Sequence, residues 1–255
     1  MIRFLLSAAA VFAVVASSSL AAEKESRLFE LRIYTAAPSK MDALNARFRD
    51  HTLKLFEKHG MANIGYWVPI DNTENKLYYV IAHKDMDARK KSFADFGADP
   101  DWKKAQSESE KDGRLVTKVE SVYLTTTDYS PEVSKKADGE RVFELRIYTA
   151  TPNNLGNLND RFRNHTIKLF EKYGMTNLWY YNVAKGQKND DKMLYYFLAH
   201  KSADAQAKSF NEFRVDPTWI AAREASEKKG GGSLTEKEGG VKSIMLKATD
   251  YSPIK

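Results

Sequence analysis

From Leu28 onward apolar Phe29, Leu31 and Ile33 alternate with the mixed set Glu30, Arg32 and Tyr34. That period of two predicts a strand over Leu28–Thr35 with one apolar face. After Pro38 the period lengthens. Met41, Leu44, Phe48, Leu55 and Phe56 fall at helical spacing, and His51 lies on the same line. They predict one long helix that stops at Gly60 with Lys58 in its last turn. Asn63–Pro69 and Leu77–His83 then read as strands joined across the turn-forming IDNTENK. The second of these is apolar on both parities, as a sheet covered on both faces requires. Met86–Phe96 is a further helical stretch. Asp99-Pro100, an N-cap and first-turn pair, opens another short helix through Trp102, and Val116–Thr125 supplies the last strand.

The same pattern then recurs. Phe29–Asn63 is matched by Phe143–Asn177 at an offset of 114, with 24 of 35 positions identical and FELRIYTA unchanged. Past a three-residue insertion near Lys188 the offset becomes 117, pairing LYYVIAHK (77–84) with LYYFLAHK (194–201) and DPDW (99–102) with DPTW (216–219). A Gly-rich insertion of five residues precedes the closing TDYSP pair. So long a period fits a duplicated folding unit rather than a solenoid. Each unit reads βαββαβ, which predicts an α+β fold of two ferredoxin-like repeats, helices on one face of each sheet. The bare faces need covers. Packed sheet to sheet, the two copies would bury them and pair their strand edges as an intramolecular α/β barrel with helices outside. Separated domains, or barrels formed between chains, stay open alternatives. The boundaries so drawn are 27–129 and 142–253, with the polar, aperiodic 130–141 as linker.

Composition narrows the classes. The chain has 255 residues, 42% apolar and 29% charged, enough for two cores. Arg3 followed by the apolar run Phe4–Ala16 and SSSLAA reads as a signal peptide over 1–22. The run is shorter than the roughly 20 residues of a spanning helix, so export to the periplasm or beyond, without a retained transmembrane anchor, is the expectation. No cysteine is present. Disulfide frameworks, thiolate metal sites and cysteine nucleophiles are therefore excluded. The formal charge of +6 is spread among interleaved acids, with no basic stripe, so no nucleic-acid partner is expected.

The words FELRIYT, HTLKLFEKHGMANIGYW and LYYVIAHKDMDARKKSFADFGADPDW, in that order and spacing, resemble the NIPSNAP domain of the dimeric α/β-barrel superfamily. The resemblance covers nearly all of each half. It implies that fold, and its wider superfamily includes cofactor-free monooxygenases, isomerases and haem-handling proteins. The second copy departs from the first by having Trp179 for Gly65 and Tyr181 for Trp67. A binding surface there need not match the first.

Candidate chemistry is sparse. His51 and His165 are paired across the repeat on the apolar helical stripe. There a neutral imidazole could ligate haem iron or act as acid or base, against the plainer reading of a hydrogen-bonded core histidine. His83 and His200 end strands next to a lysine, which suggests a solvent-facing or strand-end capping role. Neither HExxH nor GxSxG nor a phosphate-loop frame occurs, and no metal site is expected. Tyr66, Trp67, Trp179, Tyr180 and Tyr181 are candidate walls for a flat hydrophobic ligand, against ordinary packing. Glu30 with Arg32, and Glu144 with Arg146, lie two apart on one face and would form cross-strand ion pairs or lend polarity to a barrel interior. Two function classes follow. One is a non-enzymatic envelope module binding a planar hydrophobic molecule such as haem. The other is a cofactor-independent monooxygenase or isomerase, and a homo-oligomer is compatible with both.

Overall fold

The alternation around Leu31 is realised in β1 (Leu28–Ala36), whose apolar positions point into a closed eight-stranded antiparallel barrel. The structure is a computed structural model and describes residues 27–132 and 140–255. The expected signal peptide and residues 133–139 of the linker lie outside the described residues. In the first half β2 (Ala62–Pro69), β3 (Lys76–His83) and β4 (Val116–Thr126) join β1. The second half repeats them as β5 (Val142–Thr149), β6 (Thr176–Val183), β7 (Met193–His200) and β8 (Val241–Ala248).

The barrel order is β1-β3-β2-β8-β5-β7-β6-β4. Each half contributes a four-stranded sheet whose edge strands find partners in the other half. Trp67–Pro69 of β2 pair with Leu246–Ala248 of β8, and Leu124–Thr126 of β4 pair with Tyr181–Val183 of β6. Closure leaves no free sheet edge in either half. Inside lie Phe29, Leu31, Trp67, Val80, Phe197 and Leu246 among others. The two-sided strands explain the layering. Tyr78, Val80 and Ala82 of β3 face the interior, while Leu77, Tyr79 and Ile81 face outward under helices. The described residues thus form three cores: the barrel interior and one helix–sheet layer per half.

The helices are α1 (Met41–Arg47), α2 (Leu53–Lys58), α3 (Met86–Ala98) and α4 (Pro100–Ser109), answered by α5 (Leu155–Arg161), α6 (Ile167–Lys172), α7 (Ala203–Arg214) and α8 (Pro217–Lys229). Helix α4 runs well past Trp102, where the sequence pattern ends it. Its N-cap Asp99 accepts from Asp101 N and lies 2.7 Å from His59 Nε2. In the second copy Tyr173 donates its hydroxyl to Asp216 at 2.6 Å, so the His-to-Tyr replacement conserves the helix-capping contact.

The TDYSP segments are exchanged. After β4, Thr127 N donates to Tyr180 O and Ser130 Oγ accepts from Tyr180 N, both in the second half. Thr249 and Ser252 do the same to Tyr66 of the first half. Arg163–Asp128 and Arg49–Asp250 ion pairs flank the two arms. No helix among the described residues is long and apolar enough to cross a membrane.

Candidate ligand-binding site

The single long helix expected over 41–58 is interrupted, and this decides where its histidine points. A π turn, Phe48–Thr52, separates α1 from α2, and Phe162–Thr166 separates α5 from α6. Such a turn bonds each N–H five residues back instead of four, so one extra residue enters and the inward phase slips by one. Leu53 N donates to Phe48 O and Ile167 N to Phe162 O in this way. Thr52 takes the buried position, its hydroxyl donating to Arg47 O at 3.1 Å, and Thr166 bonds Arg161 O likewise. His51 and His165 are consequently exposed, not in the core stripe. His51 edges an open, charged groove between α2 and α4. Neither imidazole can be a covered haem ligand or buried base.

The aromatic candidates do not form one wall. Adjacent residues of a pleated strand face opposite sides. Tyr66 and Tyr180 lie under the helices, stacked on Tyr79 and Tyr196 at 5.3 and 5.1 Å. Trp67, Trp179 and Tyr181 point into the barrel, where Trp67 packs on Phe197 at 5.1 Å. Trp67 Nε1 and Tyr181 Oη are buried there without a hydrogen-bond partner among the described residues.

The paired Glu and Arg keep to the face opposite Phe29 and Leu31, as the alternation places them, and their ion pairs run within one strand rather than across strands. Glu30, Arg32 and Tyr34 face the helix layer rather than the barrel interior, as do Glu144, Arg146 and Tyr148. Arg32 Nη1 meets Glu30 at 2.5 Å, Nε donates to Tyr79 Oη at 2.7 Å and Nη2 to Tyr34 Oη at 3.2 Å. Arg89 of α3 closes on the same carboxylate at 3.0 and 3.1 Å. His83 and His200 are buried, not solvent-facing: a strand end beneath α3 or α7 is covered by the helix. His200 Nε2 hydrogen-bonds Glu144 at 3.0 Å, whereas His83 Nε2 stands 3.3 Å from Glu30 in a poorly aligned contact. In the second copy Ser243 donates to Glu144 at 2.6 Å. Burial pushes the Glu30 carboxyl up, but His83, Arg89 and Arg32 outweigh it and hold it down at about 2. Glu144 is likewise at about 2, burial being overcome by His200, Arg146 and Ser243. With every carboxylate oxygen engaged by cations or donors, this cluster is a buried polar anchor between sheet and helices.

Beside it the first half opens a cleft of about 380 Å³ between the helix layer and the outer face of β4. Its walls include Tyr34, Phe48, Phe56, Phe93, Phe96 and Trp102. Its polar lining includes Arg47, Gln106, Glu110, Arg114 and Lys118. Arg47, at the last turn of α1, is 6% exposed, its guanidinium 5.2 Å from the Trp102 ring. Nη1 donates to Glu110 at 2.9 Å and to Ser109 Oγ at 3.4 Å, while Nε has no partner among the described residues. Arg161 repeats the posture over Trp219 at 5.2 Å, again with an unpartnered Nε. The β4 side of the cleft is not repeated: where Val116–Val119 run in the first half, the second carries the insertion between Glu236 and Gly240, both bonded to Thr149. Arg114 has Ser233 in its place. The signal available in sequence was the paired RFR and DPxW words, which bring Arg47 onto Trp102. Among the described residues no group of three or more His, Cys, Asp or Glu could hold a metal ion.

A closed antiparallel barrel of two βαββαβ halves with helices outside defines the dimeric α/β-barrel class, here completed within one chain. The NIPSNAP family model matches residues 29–131 and 143–253, and the chain belongs to the NIPSNAP family. Among solved structures, an anthrone oxidase-like protein is 13% identical with a TM-score of 0.56, matching 91% of this chain and 95% of its own. A candidate monooxygenase of Lactobacillus acidophilus is 11% identical, with a TM-score of 0.55 over 88% of this chain and 94% of its own. Another, of Fusobacterium nucleatum, is 12% identical with a TM-score of 0.54 over 88% and 93%. These likenesses are of fold. No curated protein matches the chain.

Proposed function

We propose that this protein, exported by its N-terminal apolar segment, binds a small flat apolar molecule in the cleft of its first half. The observation that carries this is the aromatic lining of that cleft closed on one side by a buried arginine. Its volume of about 380 Å³ lies at the small end of the roughly 300–1,000 Å³ of ligand pockets and suits two or three fused rings. The haem reading falls away with the outward turn of His51 and His165. N-phenyl-1-naphthylamine, a neutral apolar fluorophore, should brighten on titration into the purified mature chain and saturate at one equivalent. Gln106→Trp, which fills the cleft from the exposed side of α4, should remove that response. Saturation unaffected by Gln106→Trp would place the ligand elsewhere and defeat the proposal.

A cofactor-independent oxygenase is the second reading, favoured by Tyr34, whose hydroxyl lies in the cleft wall on Arg32. Such a reaction needs a base to take a carbon-bound acidic proton before oxygen adds. Anthrone supplies one, and its conversion by one O₂ gives anthraquinone and water. Oxygen uptake with anthrone that Tyr34→Phe abolishes, at unchanged fluorophore affinity, would support this reading; no uptake leaves binding alone.

A further inference from the structure

We infer that the cleft selects an anionic ligand, a flat apolar body carrying one oxyanion, through the unpartnered edge of Arg47; this rests on the cleft being the binding site. A guanidinium offers five N–H donors in a fixed plane. Glu110 and Ser109 engage one nitrogen of Arg47, and Nε is buried with nothing to accept from it. A buried donor left unpaired is disfavoured, so an acceptor that reaches it from the cleft is favoured beyond its apolar contacts.

The charge of the lining points the same way. Arg47, Arg114 and Lys118 face one carboxylate, Glu110. Lys118 is met from outside the lining by Glu120 at 2.9 Å, which leaves Arg47 and Arg114 as the cations that act on a ligand. Glu110 is itself divided, accepting from Leu115 N at 3.3 Å as well as from Arg47, so it only partly neutralises the guanidinium. Trp102 and Phe96, 4.4 Å apart, provide the flat surface beside that charge. Rings would lie against the aromatics with the oxyanion at Arg47 Nε. Charge-assisted hydrogen bonds of this kind are about twice as strong as neutral ones, more so where water is excluded.

The test compares two fluorophores that differ by one group: 1-anilinonaphthalene-8-sulfonate and neutral N-phenyl-1-naphthylamine. The intact mature chain should bind the sulfonate about tenfold more tightly, a ratio of the size a charge-assisted bond supplies. Arg47→Met should bring the ratio near one, and because the ratio is what is read, a change in the apolar contacts shared by both probes cancels. Glu110→Gln, which removes the competing carboxylate, should raise the ratio at least threefold. That second variant decides the matter should Arg47→Met fail to fold. Equal affinities in the wild type, or a ratio that Glu110→Gln leaves unchanged, would overturn the inference. Failure of both probes to bind would instead refute the cleft as a site.

Discussion

Replacing Glu30 by glutamine tests the polar anchor beneath α3 on two axes. At neutral pH the carboxylate is the shared counter-ion of Arg32 and Arg89 and the neighbour of His83, and its side chain is fully buried. Removing one partner of a buried ion pair leaves a charge uncompensated and costs about 3–5 kcal/mol, a large part of the roughly 5–15 kcal/mol that holds a domain folded. The second axis is pH. Glu30 and Glu144 are held below their ordinary value, so their contribution is present above about pH 4.5 and is lost as pH falls towards about 2. At about 1.4 kcal/mol per pH unit the drop from 4.5 to about 2 amounts to roughly 3 kcal/mol for each carboxylate. Urea unfolding followed by far-ultraviolet circular dichroism at pH 7, 4.5, 3 and 2.5 measures both. The wild type should lose stability steeply below pH 4.5. Glu30→Gln should start lower at pH 7 and fall with a visibly shallower slope. A variant within about 1 kcal/mol of wild type at pH 7, together with an unchanged acid slope, would refute the account of the anchor as an ionised, mutually compensated cluster.

Other expectations are more local. Glu144→Gln should cost less than Glu30→Gln, because one guanidinium rather than two loses its counter-ion; melting temperatures of the two variants rank them. His51→Ala should leave thermal stability within about 0.5 kcal/mol, whereas Thr52→Val should lower it by about 1 kcal/mol through the bond to Arg47 O. The reverse order would restore the uninterrupted helix. Ser130→Ala and Ser252→Ala should each cost about 1 kcal/mol by leaving a buried N–H of Tyr180 or Tyr66 unpaired, which calorimetry would register as lower melting temperatures. Gly65→Ala places a methyl 2.2 Å from the Trp67 ring, so it should destabilise by about 1–3 kcal/mol in urea titrations.

Much of the architecture was legible because the periodicities were clean. Alternation in Leu28–Thr35 and two-sided apolarity in Leu77–His83 were enough to require a covered sheet, and the repeat named the cover. The site was less legible. A helical wheel drawn through 41, 44, 48 and 51 assumes a constant pitch, and the π turn at Phe48–Thr52 breaks it with no residue that announces the change. His83 read as a strand end at the surface because nothing in a one-dimensional pattern shows that α3 crosses over it. The pair Tyr66-Trp67 failed differently: strand pleating alone sends neighbouring rings to opposite faces, a consequence the composition of the pair conceals. Arg47 was hidden by its type, since an arginine on a helix is ordinarily solvated and its burial follows from the register of α4 against α1.

The exchange of the TDYSP arms bears on how far the two halves can diverge. Each arm leaves its own sheet and bonds the backbone of Tyr180 or Tyr66 in the other, so neither half's β2-type strand is held by its own repeat alone. Stability is therefore pooled across the duplication, and the Glu30–Arg32 and Glu144–Arg146 pairs and the capping Asp99 and Asp216 stay matched. The cleft walls lie outside that pooled frame. They are formed by α1, α4 and the outer face of β4, and in the second copy the insertion between Glu236 and Gly240 alters one of them without disturbing the pairing of Tyr148 with Val241. A site can thus specialise in one half while the other half serves as its scaffold, which is what Arg114 in one copy and Ser233 in the other would produce.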